Sequence, residues 1–130
     1  MEILFLDANV LFSAAYRENA GLKKLWQLKK VKLVTSVYAL EEARRNLKLP
    51  EQVERLDELL MPMQLIASTT ILNVHEDIKL RDKDRPILAA AIKAKAQYLI
   101  TGDHRDFGEY FEKKISGVTI LTPAQYLARK

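Results

Sequence analysis

Apolar positions along the chain fall into short unbroken runs separated by longer stretches with helical spacing. The first run, Ile3-Leu4-Phe5-Leu6, ends at Asp7. Four apolar residues without a polar break predict a strand buried on both faces, as in a parallel sheet covered by helices. Helical character follows from Val10 to Arg17, with Leu11, Ala14 and Ala15 on one side, until Asn19 and Gly21 interrupt it. Leu22, Leu25, Trp26 and Lys29 recur at helical spacing and predict a second short helix. Val31 to Thr35 alternates apolar and polar residues and reads as a strand. Thr35 and Ser36 are good N-cap residues for a helix from Val37 to about Leu47.

Pro50 opens a further helix to about Met61, with Val53, Leu56, Leu59 and Leu60 as its apolar stripe. Met63–Ala67 and Ile71–Val74 are competing strand candidates, and the pattern does not choose between them. The charged stretch from His75 to Lys83 reads as a loop. Asp84 then stands as an N-cap, with Pro86 in the first turn, where a missing N–H costs nothing. Ile87, Leu88, Ala91, Ile92 and Ala96 make the buried face of a helix reaching about Lys95. Tyr98–Thr101 is a strand closed by Gly102-Asp103, a short helix is expected around Phe107 to Phe111, Val118–Leu121 is the last strand, and Pro123 starts a terminal helix ending at Lys130. Strands alternating with helices predict an α/β fold with a central parallel sheet.

With 130 residues, 48% of them hydrophobic and 29% charged, the chain reads as one folded domain spanning 1–130 rather than a disordered segment. The absence of cysteine excludes disulfides and thiolate metal sites and makes a reducing cytoplasm the default. The first apolar run is too short to span a membrane and runs into Asp7 without a cleavage site, so it is not read as a signal peptide, and no membrane partner is expected. The net charge of +4 favours approach to a phosphate backbone, an observation that matters only if the acids are gathered in one place.

Topology says that they are. Asp7 and Asp103 both follow strands of a parallel sheet, Asp84 begins the helix leading into the Tyr98 strand, and Glu41 and Glu42 lie in the early turns of the helix after the second strand. All these positions fall at the carboxyl edge of the sheet, where α/β proteins bind ligands. Crowded carboxylates repel one another and stay ionised only when a cation neutralises them. Hard oxygen donors without Cys or clustered His select Mg²⁺ or Mn²⁺ over Zn²⁺. Such an ion keeps positions for water and phosphate oxygens and can activate a water for in-line attack on a phosphodiester.

At this point the residues resemble a known family. FLDANVLFSA looks like the opening motif of PIN domains, a hydrophobic strand ending in Asp with Asn, Ser or Thr two residues on. TSVYALEEARRNL resembles their second motif, in which Ser is followed six residues later by an acidic ligand; from Ser36 that spacing selects Glu42. KDRPILAAAIKAKAQYLITGDHRDFG is similar to the third and fourth motifs and matches them at Asp84, Asp103 and Asp106. The resemblance covers nearly the whole chain in the right order, with Met63 to Arg81 its least typical part. It implies a three-layer α/β/α sandwich and a metal-dependent ribonuclease. Many small members are toxins of VapC-type toxin–antitoxin pairs, homodimers held inactive by an antitoxin. Carried over residue by residue, it makes Asp7, Glu42, Asp84 and Asp103 catalytic and metal-binding, with Asp106 as a further metal or water-mediated ligand.

Each assignment has a structural competitor. Asp84 caps a helix whether or not it binds metal. Helical periodicity places Glu41 and Glu42 on opposite flanks and does not choose between them; only the family spacing does. Asn9 and Thr101 are expected to hold a carboxylate's rotamer, although Asn9 would also serve as a cap. Arg45, Arg85 and Arg105, with Arg44 and Lys83, flank the acids and are candidates for holding nucleic-acid phosphates, although charges near helix ends are usually just solvated. His104, His75 and Trp26 are read as surface and packing residues. Two alternatives stand beside the endoribonuclease. A haloacid-dehalogenase-type phosphatase needs a second Asp where this chain has Asn9, which argues against it. A non-catalytic PIN-like module binding RNA or protein keeps the fold without the cleavage.

Overall fold

The computed structural model of the chain describes residues 1–67 and 74–130. A six-stranded sheet runs in the order β3-β2-β1-β4-β6-β5. Its strands are β1 (Glu2–Leu6), β2 (Val31–Ser36), β3 (Gln64–Ile66), β4 (Tyr98–Ile100), β5 (Lys114–Ile115) and β6 (Val118–Leu121). The helices are α1 (Ala8–Tyr16), α2 (Val37–Asn46), α3 (Pro50–Leu60), α4 (Arg85–Lys93), α5 (His104–Phe107) and α6 (Pro123–Ala128). They flank the sheet in the three-layer arrangement expected of the sequence.

The unbroken apolar run does occupy the centre. β1 lies between β2 and β4, parallel to both, and Leu4, Phe5 and Leu6 are completely buried. Ala89, Ala90 and Ala91 of α4 are buried as well, so small side chains let this helix pack closely. α1 packs on both α2 and α3. The second short helix forms as a 3₁₀ helix, Gly21–Gln27, whose Trp26 indole donates to the Leu59 carbonyl and acts as packing.

Of the two competing strand candidates, Met63–Ala67 joins the sheet, as β3 paired parallel to β2. The other lies outside the described residues except for Val74. The sheet is mostly rather than wholly parallel, because β5 pairs antiparallel with β6. This hairpin was not anticipated. Ser116 and Gly117 between the strands have φ of 50° and 89°. Two successive residues with φ above zero make the tight turn suited to a two-residue hairpin, and Ser-Gly was its signal. The short helix expected at Phe107–Phe111 starts earlier, at His104, because Asp103 caps it by accepting from the Asp106 N–H. No helix among the described residues is long and apolar enough to cross a membrane.

Candidate metal centre at the carboxyl edge of the sheet

The ends of β1, β4 and β6 are tied together at one edge. The Asp7 N–H donates to the Ile100 carbonyl and the Thr101 N–H to the Leu121 carbonyl, each at 3.0 Å. These bonds bring Asp7 and Thr101, which are 94 residues apart, into contact: the Thr101 hydroxyl donates to Asp7 Oδ2 at 2.8 Å. Asn9 Nδ2 donates to the same oxygen at 3.1 Å and to Thr101 Oγ1 at 3.2 Å, and Asn9 Oδ1 accepts from the Gly102 N–H at 2.7 Å. Asp7 Oδ1 accepts from the Ala8 N–H at 2.6 Å. Asn9 and Thr101 thus hold the Asp7 carboxylate in one orientation. Three of its roughly four lone-pair sites are engaged, and one remains on Oδ1.

Around this carboxylate opens a cleft of about 510 Å³ lined by Asp7, Asn9, Glu42, Lys83, Asp84 and Asp103, among others. Glu42 reaches it, whereas Glu41 is an exposed helix charge, so tertiary packing makes the choice that periodicity left open. Asp84, Asp103 and Asp106 each offer a carboxylate oxygen within 4.8 Å of the others. The Asp103 backbone is fixed by its N–H bond to Thr101 Oγ1. One hydroxyl therefore orders parts of both Asp7 and Asp103.

Asp84 departs from the expectation for a cap. It stands at the N-cap position of α4, but its side chain accepts no hydrogen bond from the helix. Its backbone is already helical (φ −99°, ψ −18°), where capping residues are normally extended, and Pro86 removes one donor it could have served. The carboxylate is instead turned into the cleft: Asp84 is 5% exposed, and its Oδ2 is buried without a hydrogen-bond partner among the described residues. A buried carboxylate oxygen with no donor is costly and points to a missing cation or proton.

The electrostatics agree. Burial raises the Asp7 carboxyl to about 6, against the lowering effect of the Thr101 and Ala8 hydrogen bonds. Burial, then a hydrogen bond to Asp106, raises Asp84 to about 7. Asp106 moves the other way, lowered chiefly by that same bond. Two carboxyl groups this close disfavour ionising together, and the more buried one, Asp84, is the one held high. Lys83 Nζ lies 3.7 Å from Asp84 Oδ1 and 3.5 Å from Asp106 Oδ2, and Arg81 is 3.6 Å from the same Asp106 oxygen. These distances exceed those of charge-assisted hydrogen bonds, so the cations neutralise the cluster only in part. An all-oxygen donor set with one orphaned oxygen fits a hard divalent cation.

The basic candidates separate. Arg85 does not belong to the cleft: its guanidinium donates to the carbonyls of Ile78, Val74 and His75 at 2.7, 3.1 and 3.1 Å and braces that loop. The expectation that it holds phosphate is corrected accordingly. Arg44 pairs with Asp57 on the surface. Arg45 and Arg105 are exposed, and His104 lies against the Phe111 ring. Lys83, considered in the sequence only as one of several flanking cations, is the one that lines the cleft.

Comparison with known proteins bears on this edge. A family model described as PIN domain matches residues 4–105. No curated protein sequence matches the chain. Among solved structures, VapBC2 from Rickettsia felis, bound to a DNA fragment from its promoter, has a TM-score of 0.69 at 17% identity, over 92% of this chain and 98% of that one. A toxin–antitoxin complex from Klebsiella pneumoniae gives 0.68 at 22% identity over 92% and 97%. VapC20 from Mycobacterium tuberculosis, a sarcin-ricin loop cleaving toxin, gives 0.55 at 21% identity over 77% and 91%. At these identities the likeness is one of fold.

Proposed function

This chain belongs to the PIN domain family, and we propose that it is a metal-dependent endoribonuclease, the toxin of a toxin–antitoxin pair. The observation that carries the reading is the buried, unpartnered Oδ2 of Asp84 beside Asp103 and Asp106, in the cleft that also holds Asp7 and Glu42. A chain that served only as a binding module would gain nothing from this costly arrangement.

Asp7, Glu42, Asp84 and Asp103 would hold Mg²⁺ or Mn²⁺, with Asp106 beside them. When bound, the ion supplies positive charge to the phosphodiester and lowers the pKa of water. The chain's own residues do the rest. Asn9 and Thr101 keep Asp7 Oδ1 aimed into the cleft, and Lys83 stands at the rim where a substrate phosphate would enter. Arg45 and Arg105 are exposed cations available to flanking phosphates. The resemblance in fold to toxin–antitoxin complexes supports a protein antitoxin as partner, and a homodimer is the working form the family resemblance implies. Hydrolysis of a phosphodiester is the reaction this donor set suits, and the likeness to a sarcin-ricin loop cleaving toxin favours RNA as the substrate.

Calorimetric titration of Mn²⁺ tests the site before any RNA target is known. Wild type should bind saturably, and Asp7→Asn and Asp103→Asn should each lose that binding while still folding. RNA cleavage requiring Mg²⁺ or Mn²⁺ should disappear in the same variants. No saturable binding by the wild type, or undiminished cleavage by Asp7→Asn, would overturn the proposal.

A further inference from the structure

The opposite edge of the sheet has the opposite charge. The segments that lead into β1, β2 and β4 (residues 1–3, 28–32 and 93–97) carry five lysines and one carboxylate, Glu2. Lys29, Lys30, Lys32, Lys93 and Lys95 are all exposed, and no ion pair among the described residues involves any of them. Glu2 is engaged by the Tyr126 hydroxyl and Lys130. Backbone hydrogen bonds make the segments one continuous edge: Glu2 donates to the Lys30 carbonyl, Gln97 to that of Ile3, and Thr119 to that of Gln97. Lys114, also exposed, pairs with Thr119 and extends the band to β5.

Two of these lysines are held against steric preference. Lys30 and Lys95 have φ of 59° and 58°, the left-handed region that favours glycine or asparagine. They occupy equivalent turns, each entering a strand that flanks β1. A turn chosen for stability alone would carry Gly or Asn there; this chain carries a cation at both. From β2 to β5 the band crosses four strand spacings, about 19 Å. That length suits a chain of phosphates better than one small anion.

We propose that this amino edge is a surface for the phosphate backbone of RNA, separate from the carboxylate cleft at the other end of the strands. It rests on the reading of the chain as an RNA-acting protein. β1 is five residues long, so the two edges are roughly 17 Å apart. The lysines hold a remote part of the strand, while the acidic cleft, which repels phosphate until it is loaded with metal, engages the cleaved bond.

The probe is fluorescent poly(U), measured by anisotropy in EDTA so that no cleavage occurs. The variants are Lys30→Asn, Lys95→Asn and the double variant, since Asn tolerates the left-handed backbone. Wild type should bind with strong salt dependence. Each substitution should weaken binding several-fold and reduce the log–log salt slope by about 0.7. Melting temperature should stay the same or rise, and Mn²⁺ affinity should not change. Lys48→Gln, in the exposed segment between α2 and α3 and outside the band's segments, should have a much smaller effect. Salt-independent or absent binding, a double variant that binds as wild type does, an equal loss in Lys48→Gln, or binding to phosphatidylserine vesicles but not to poly(U) would each overturn the surface. Lysine-dependent binding by a chain that takes up no Mn²⁺ would support it while overturning the nuclease reading.

Discussion

One strand carries a carboxylate at each end, and the two are treated differently. Glu2 opens β1 and accepts from the Tyr126 hydroxyl and Lys130 Nζ at 2.5 and 2.8 Å. Those partners, Lys130 foremost, hold its carboxyl below the usual range. Asp7 follows β1, is 3% exposed and accepts three hydrogen bonds, and burial still pushes it up to about 6. Counting hydrogen bonds does not separate the two. The difference is that a cation from the chain itself meets Glu2, whereas Asp7 faces Glu42, Asp84 and Asp103 across a cleft. A paired acid is complete within the fold; a gathered set of acids is complete only with something from outside.

The largest expected effect follows from that contrast. Saturating Mn²⁺ should raise the melting temperature by roughly 10 °C, since ligand at a hundred times its dissociation constant adds about 2.7 kcal/mol. EDTA should reverse the rise. Asp84→Asn should abolish it and Glu2→Gln should leave it whole; a rise that survives Asp84→Asn would place the metal elsewhere.

Next in size is the support beneath the cleft. Thr101→Val keeps the shape of the side chain but removes the hydroxyl that orients Asp7 and accepts from the Asp103 N–H. Mn²⁺ affinity should fall about 10- to 100-fold, with calorimetry as the measurement. A smaller change of opposite sign is expected from Lys83→Met. Its ammonium lies within 4 Å of Asp84 and Asp106 and opposes a second cation, so its loss should tighten Mn²⁺ binding roughly fivefold. Weaker binding in this variant would make Lys83 a support of the site rather than a competitor.

The pH dependence of the metal-free chain should also differ between the two ends. Asp7, about 6 when folded, and Asp84, about 7, lie above the ordinary aspartate value of about 3.9. In that window the native state binds more protons than the unfolded state. Their contribution to stability is therefore largest in acid and declines as pH rises from about 4 through 7. Glu2 is lowered, so its contribution is present above its unfolded value and is lost as pH falls through its folded one. In EDTA, denaturant midpoints followed from pH 4 to 8 should show the first trend flattened in Asp84→Asn. Glu2→Gln, the smallest effect, should cost a few degrees of melting temperature at most, near neutral pH, because the pair is largely exposed.

Much of this was legible before any coordinates. The run Ile3–Leu6 reads as a strand buried on both faces and lies in β1, and Val118–Leu121 formed where its pattern placed it. Strand ends in a parallel sheet put Asp7 and Asp103 at one edge, and the ordered motifs put Asp84 and Glu42 with them. The Asp-x-Asn spacing anticipated that Asn9 would brace Asp7. Other features were not legible. β5 has two residues, too few for any period to register. Arg85 looked like a phosphate ligand because nothing local shows that three loop carbonyls claim its guanidinium. Asp84 looked like a cap because its backbone angles cannot be read from its neighbours.

What the sequence by itself determined are properties of single elements: hydrophobic period, chain punctuation, and the end of a strand at which a residue falls. These follow from local geometry, which repeats every two residues or every 3.6. Only the tertiary structure decided which of two adjacent glutamates faces the cleft, that Asp84 leaves an oxygen unpartnered, that Asp84, Asp103 and Asp106 come together, and that Lys83 rather than Arg85 stands beside them. Each of these is a distance between groups on different elements, and burial, desolvation and charge act through such distances, not through spacing along the chain.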